Sequence, residues 1–320
     1  MDQSNSLALA ADITKSASKQ TYYTIRFFVD TQLKLDAFRA YGYFRWVDDT
    51  IDLRSKTDVL TNDLDSSGKL AFVNRQKDLL EACYRGEYPE DLSPEEQILA
   101  DLVRNDSGMH PGLKSYLDNM MSVMAFDVRR RSRVITEAEL TEYTHALSTA
   151  VTDALFYFIG HNDGPPLHHG RYSAVTAAHI THMLRDTLED IKTGYFNIPG
   201  EFLVEHGITP SEVESQAYRE WICSQVSLAR RYFKEGRDFL AQVKNLRCRI
   251  AGYAYTARFE WMLRLIERDH YHLCSKYPTR KSLWAGLWMS WMTLTSLFTY
   301  AFNKRNTQFL AFQPSKTDKS

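Results

Sequence analysis

The stretch Tyr41-Gly-Tyr-Phe-Arg-Trp-Val-Asp-Asp-Thr-Ile-Asp52 decides how this chain is read. At about 3.6 residues per turn, Tyr41, Arg45, Asp48 and Asp52 fall on one face of a helix. Tyr43, Phe44, Trp46, Val47 and Ile51 surround them. An exposed helix does not need so many large apolar groups beside its charges. The pattern predicts a polar stripe facing a cavity inside a bundle.

A second stretch, His179-Ile-Thr-His-Met-Leu-Arg-Asp-Thr-Leu-Glu-Asp190, repeats the arrangement. His179, His182, Asp186 and Asp190 share a face, and Arg185 stands beside them. Each stripe holds two aspartates four apart with an arginine close by. One Asp-x-x-x-Asp alone usually marks a solvated helix face. Two of them, each in an apolar surround, point to chemistry.

The rest of the chain supports a helical reading. It has 320 residues, 44% apolar and 25% charged, enough for a substantial core. Lys and Arg number 39 against 40 Asp and Glu, which offers no electrostatic case for nucleic acid. Aromatics reach 13%, while 14 Gly and 9 Pro are few for this length, so helices are favoured over a sheet rich in turns. Helices are predicted at 8–38, 36–53, 69–85, 94–105, 111–131, 136–160, 172–193, 210–243, 245–275 and 281–303. Arg54 to Gly68, Gly108 to Pro111 and His161 to Gly170 read as breaks, and Thr136 with Glu139 as a capping box. With no period-two alternation and no repeat, the expectation is one all-α domain. Cys83, Cys223, Cys248 and Cys274 lack zinc spacing and are too few for a disulfide framework. No secretory signal is evident at the N-terminus, so a reducing, cytoplasmic setting is expected.

Physical chemistry narrows the role of the aspartates. Neighbouring carboxylates raise each other's pKa unless cations neutralise them. The oxygen donors suit Mg²⁺, which completes its shell with water and phosphate oxygens. Asp48, Asp52, Asp186 and Asp190, facing across a bundle, can thus hold a diphosphate through the metal. Arg45 and Arg185 can contact the same phosphates directly. The abundant aromatics suit a cavity for a hydrocarbon or a passing cation.

These motifs resemble the squalene/phytoene synthase family, a branch of the all-α isoprenoid synthases. The likeness runs from Ser18-Lys-Gln-Thr-Tyr22 through the first motif. It continues at Ala125-Phe-Asp127, Thr136 to Tyr143, Leu184 to Asp190, Gly194 to Pro199, and Arg258 to Tyr271. The resemblance implies a single helical bundle with a central apolar channel, spanning 18–303 after an N-terminal segment at 1–17 and before a polar tail at 304–320. It implies two prenyl diphosphate substrates, of farnesyl or geranylgeranyl length, coupled head to head with Mg²⁺, or with Mn²⁺. The four aspartates become metal ligands, and Arg45 and Arg185 hold phosphate. Tyr41, Thr21, Phe259 and Asn197 line the substrate site.

The chain also departs from the family pattern. His179 and His182 stand where Gln and Asn are usual, so His182 becomes a candidate ligand or phosphate contact and His179 a satisfied wall residue. Leu147-Ser-Thr-Ala-Val-Thr152 replaces a Val-Ala-Gly-Thr-Val-Gly run, and Asn197 and Phe259 replace tyrosines. The ionising groups are kept while the channel wall is changed. This leaves open a terpene synthase or diphosphate lyase that consumes one substrate. Further rivals are a di-iron bundle, from Glu142-x-x-His145 and Glu267-x-x-His270, and a non-catalytic assembly factor. No Gly-x-Gly-x-x-Gly run marks an NADPH site, so a reductive step is unassigned. Finally, Leu283 to Phe302 carries no charge and is flanked by Arg280, Lys281, Lys304 and Arg305. A terminal helix at 281–303 that packs on the bundle or lies at a membrane surface is favoured over a span. No oligomeric state is legible.

Overall fold

Helix ends in this chain are set by short polar side chains. In the computed structural model, which describes residues 3–52, 66–160, 163–166, 168–277 and 283–310, Ser93 and Thr136 each close a full capping box, with Glu96 and Glu139. Ser18, Ser215 and Asn245 cap three further helices through single side-chain bonds to backbone amides. The described residues form α1 (Gln3–Ala17), α2 (Lys19–Phe28), α3 (Lys34–Asp52), α4 (Ser66–Tyr84), α5 (Pro94–Arg104) and α6 (Gly112–Arg130). They continue through α7 (Glu137–Phe158), α8 (Ser173–Thr193), α9 (Gly200–His206), α10 (Gln216–Leu240), α11 (Leu246–Arg268) and α12 (Leu283–Leu310). The all-α expectation holds, with one isolated bridge, Arg133 to Tyr195, as the extended pairing among described residues.

Several boundaries differ from the sequence reading. The helix expected at 8–38 is broken twice. Ser18 turns extended to cap α2. Asp30 leaves the helix because its amide donates to the Phe158 carbonyl and its carboxylate accepts from the Gly160 amide. The helix expected at 210–243 starts at Gln216, and the short α9 went unread. The helix expected at 245–275 stops at Arg268, where His270 and Tyr271 take left-handed backbone angles. Most of the Arg54 to Gly68 break, and Arg280 and Lys281, lie outside the described residues.

The core divides into two apolar clusters. One is built mainly from α3 to α7, with the ends of α10 and α11, and the other from α8, α10 and α11. Two glycines allow the closest helix approaches that position the aspartate helices. A Cβ on Gly42 of α3 would lie 2.9 Å from the Ala10 carbonyl oxygen of α1. A Cβ on Gly236 of α10 would lie 2.6 Å from the Ala174 Cβ of α8.

An apolar cavity of about 360 Å³ lies among α2, α3, α6, α7 and α11, with Tyr41, Tyr116, Val151 and Tyr255 in its wall. A smaller void shares Leu155, Ile159 and Tyr255 with it and extends toward α10. This is the central channel expected of the bundle. Among the described residues, no helix is long and apolar enough to cross a membrane.

Because Gly236 seats α8, Gly236→Ala is expected to destabilise the fold by roughly 1–3 kcal/mol through overpacking. Chemical denaturation would measure this, and an unchanged midpoint would show that α8 and α10 can separate without cost.

Candidate active site

The first aspartate stripe occupies the C-terminal half of α3. Val47 and Ile51 face the core, which turns Arg45, Asp48 and Asp52 to the half-buried side. Arg45 is folded onto its own helix. Its Nε donates to Asp49 at 2.9 Å and its Nη1 to Asp48 at 3.2 Å. Asp49, absent from the sequence-read stripe, is therefore the resting partner of this arginine. Asp52 accepts from the Tyr195 hydroxyl at 3.1 Å. Burial and the nearby Asp52 raise the Asp48 carboxyl from 3.8 to about 6. Arg45 works against that shift without cancelling it.

The second stripe occupies the C-terminal half of α8. Arg185 Nε donates to Asp186 at 2.6 Å, and His182 Nε2 lies 3.0 Å from the other Asp186 oxygen. Burial works to raise the Asp186 carboxyl, but Arg185 and His182 outweigh it and hold the group below the usual carboxylate range. His182 is exposed and shares the face of Asp186. His179, expected as a satisfied wall residue, is buried and is not satisfied. It is buried edge-on against Tyr143 at 5.1 Å, and neither ring nitrogen has a hydrogen-bond partner. Burial, with His182 and Arg130 nearby, lowers it from 6.5 to about 3, so it is neutral at neutral pH.

The two stripes are joined by Asp127, Arg130, Tyr143 and Tyr195, which the sequence reading did not single out as site residues, and by Asn197, which it did. On α6, Arg130 Nε donates to Asp127 at 2.6 Å, while its Nη1 donates to the Asn197 side-chain oxygen at 2.7 Å. Asn197 in turn donates to Asp190 at 2.8 Å. The Tyr143 hydroxyl donates to Asp127 at 3.3 Å. Arg130 is sandwiched by the rings of Tyr143 and Tyr195, 4.8 and 4.9 Å from its guanidinium carbon. Burial raises the Asp127 carboxyl, with Asp52 adding to it and Arg130 opposing it, and Asp127 adds in turn to the charge felt by Asp48. A polar network thus runs from Asp52 of the first aspartate helix through Tyr195, whose ring lies on Arg130, and on through Arg130 and Asn197 to Asp190 of the second.

Local backbone makes this possible. Gly194 ends α8 in the left-handed region at φ 85°, and its carbonyl accepts from the Ser132 amide at 2.7 Å. That contact lays the turn after α8 against the turn after α6. A Cβ on Gly194 would meet the Ser132 hydroxyl at 2.9 Å.

The remaining sequence-read residues divide. Thr21 and Tyr41 line the apolar cavity, and Tyr41 lies one turn below Arg45. Phe259 does not line it. That ring is buried in the second cluster, while its neighbours Tyr255 and Arg258 reach the cavity. The two Glu-x-x-His pairs do not converge. Glu267 is held by Arg230 at 2.7 and 3.0 Å, and Glu142 and His145 line separate grooves. All four cysteines are free thiols.

The donor set suits a hard cation. Among the described residues, no three acidic, His or Cys side chains converge tightly enough to hold an ion unaided. Paired carboxylates with a surplus of negative charge at Asp48 fit Mg²⁺ that takes its remaining oxygens from water and phosphate.

Comparison with known proteins adds to this geometry. The squalene/phytoene synthase family model matches residues 14–285. A presqualene diphosphate synthase from Rhodopseudomonas palustris is 28% identical over 181 residues, which cover 55% of this chain and 56% of that protein. The solved squalene synthase HpnC from Alicyclobacillus acidocaldarius superposes with a TM-score of 0.64 at 18% identity, covering 85% of this chain and 97% of that one. A dehydrosqualene synthase solved with a bound ligand gives a TM-score of 0.66 at 17% identity, covering 93% and 98%. At such identities the two structures speak for the fold alone.

Two shifted groups give opposite pH signatures in metal-free protein. The Asp48 value is raised on folding, so its penalty is full above about pH 6 and gone below 3.8. Asp48→Asn should therefore melt higher than wild type in chelator at neutral pH, with the gap closing toward pH 4. The His179 value is depressed, so stability is full above pH 6.5 and drains as pH falls toward 3. His179→Leu should resist acid unfolding further than wild type by circular dichroism, and coincident acid curves would refute a buried neutral imidazole.

Proposed function

The chain belongs to the squalene/phytoene synthase family, and from that premise we propose that it ionises an allylic prenyl diphosphate and couples the resulting cation head to head with a second prenyl diphosphate. The observation that carries this reading is the polar network of Asp127, Arg130 and Asn197. Joined to Asp52 through Tyr195, it links both aspartate helices beside an apolar cavity of about 360 Å³.

Asp48, Asp52, Asp186 and Asp190 would hold Mg²⁺, or Mn²⁺, with His182 beside Asp186. Bound divalent cations supply Lewis-acid stabilisation of the departing diphosphate. The protein's own groups do the rest. Arg45 and Arg185, folded onto Asp49 and Asp186 at rest, turn to phosphate oxygens when substrate arrives. That exchange keeps their charge compensated and places bidentate donors where negative charge grows as the C–O bond breaks. Tyr41, Tyr116 and Tyr255 line the cavity that receives the prenyl chain. Their π faces favour a passing cation, and the apolar wall keeps water from quenching it. Capture by the double bond of the second chain, with loss of one proton to the released diphosphate, gives a cyclopropyl intermediate that keeps the second diphosphate, the step before a linear triterpene or tetraterpene precursor.

A second reading is favoured by one observation, the unpartnered nitrogens of neutral His179 against Tyr143. A free imidazole lone pair buried beside the site could accept a proton from a carbocation. The chain would then act on one substrate as a terpene synthase or diphosphate lyase.

Incubation with farnesyl and geranylgeranyl diphosphates and Mg²⁺ should release diphosphate, and chelator should abolish release. Asp48→Asn and Asp186→Asn should each lower the rate about a hundredfold or more. No release from either substrate would end both readings. Gas chromatography of the product separates them, since coupling doubles the chain and lyase action does not.

A further inference from the structure

The acidic residues of this chain are unevenly placed. Residues 13–29, 239–259 and 270–317 contain no Asp or Glu, in a chain with 40 of them. The first run includes α2, the second the first half of α11, and the third α12. The fold brings these three elements together. Arg258 of α11 donates to Gln20 of α2 at 2.8 Å, and Arg247 donates to the Phe28 carbonyl at 3.3 Å, so α2 runs antiparallel along α11. On α12, Trp288 packs on Trp261 at 5.4 Å and beneath Arg264 at 4.6 Å, and Leu297 reaches the first core cluster. The acidic residues of α11, Glu260 and Glu267, are turned toward α10, where Arg237 and Arg230 hold them.

The outer side of these elements is apolar. Trp284, Leu287, Trp291 and Leu294 follow helical spacing down one face of α12 and are 76%, 63%, 66% and 51% exposed. On α2, Tyr23 and Phe27 stack at 6.1 Å and are also exposed. Lys15, Lys19 and Arg26 stand exposed within the acid-free run 13–29. A water-facing helix would not carry this stripe, and a partner protein would not need the absence of acid over three separate runs. Exposed Trp with basic residues and no carboxylates matches the headgroup layer of an anionic membrane.

We propose that α12 and the exposed side of α2 form a docking surface for an anionic lipid bilayer. The apolar cavity lies behind this surface. Its lining includes exposed Gln20, with Thr21, Thr24 and Arg258, so it reaches the outside between α2 and α11. Docked, the mouth of the cavity meets the lipid, and a hydrocarbon leaves without crossing water. That use of the surface rests on the proposed reaction, whereas the docking itself does not.

The test is co-sedimentation of the full chain with vesicles of phosphatidylcholine alone and of phosphatidylcholine mixed with phosphatidylglycerol. Binding is expected to the anionic vesicles, to fall with added salt, and to shift tryptophan emission to the blue. Trp284→Ser with Trp291→Ser, and separately Lys19→Glu with Arg26→Glu, should each weaken binding by about tenfold or more. Both variants should keep the wild-type rate of diphosphate release in lipid-free buffer. The proposal is overturned by no binding to anionic vesicles, by undiminished binding of both variants, or by a dimer in sedimentation that the tryptophan variant dissolves. Docking by a chain that releases no diphosphate would instead sink the reaction and leave the surface standing.

Discussion

The guanidinium of Arg130 is the interaction on which the site depends. It lies buried between two tyrosine rings and bonds to Asp127 on one side and Asn197 on the other. Burying a charge is costly unless hydrogen bonds and an opposite charge compensate it. Here the opposite charge comes from Asp127 on its own helix, while Asn197 carries the contact to Asp190 and Tyr195 carries it to Asp52. Removing any one partner leaves a desolvated charge behind, so the two aspartate helices are held in one register by electrostatics as well as by packing.

The same constraint explains the uneven state of the carboxylates. Asp186 has Arg185 and His182 within reach and stays ionised with ease. Asp48 shares Arg45 with Asp49 and faces Asp52 and Asp127, so its carboxyl is raised to about 6. The excess negative charge therefore sits on the α3 side. In the proposed reaction a cation-loaded diphosphate would relieve it and free Arg45 to follow the phosphate.

Below that polar layer the molecule is dry and aromatic, and its outer surface continues the theme at α2 and α12. The net charge of -1 conceals this arrangement. Acid is concentrated on the two aspartate helices and missing from the runs that hold α2, the first half of α11 and α12. A near-zero sum arises from two regions of opposite character.

Much of this was legible without a structure. The helical class followed from few breakers and from period-3.6 stripes, and Asp48, Asp52, Asp186 and Asp190 were found because a helix puts residues four apart on one face. These are local properties, set by backbone geometry over a turn or two. Asp127 and Arg130 were invisible as site residues, because an i, i+3 acid–base pair on a helix looks like any surface ion pair. Their meaning comes from Asn197, 67 residues away from Arg130, delivered by the left-handed turn at Gly194. Phe259 packs in the second core cluster for the same reason, since a helix has several buried faces and only its neighbours decide what each one borders. The sequence by itself determined which charges travel together on each helix. Only the tertiary structure decided which helices share those charges, because burial and long-range hydrogen bonds arise between segments that no local spacing connects.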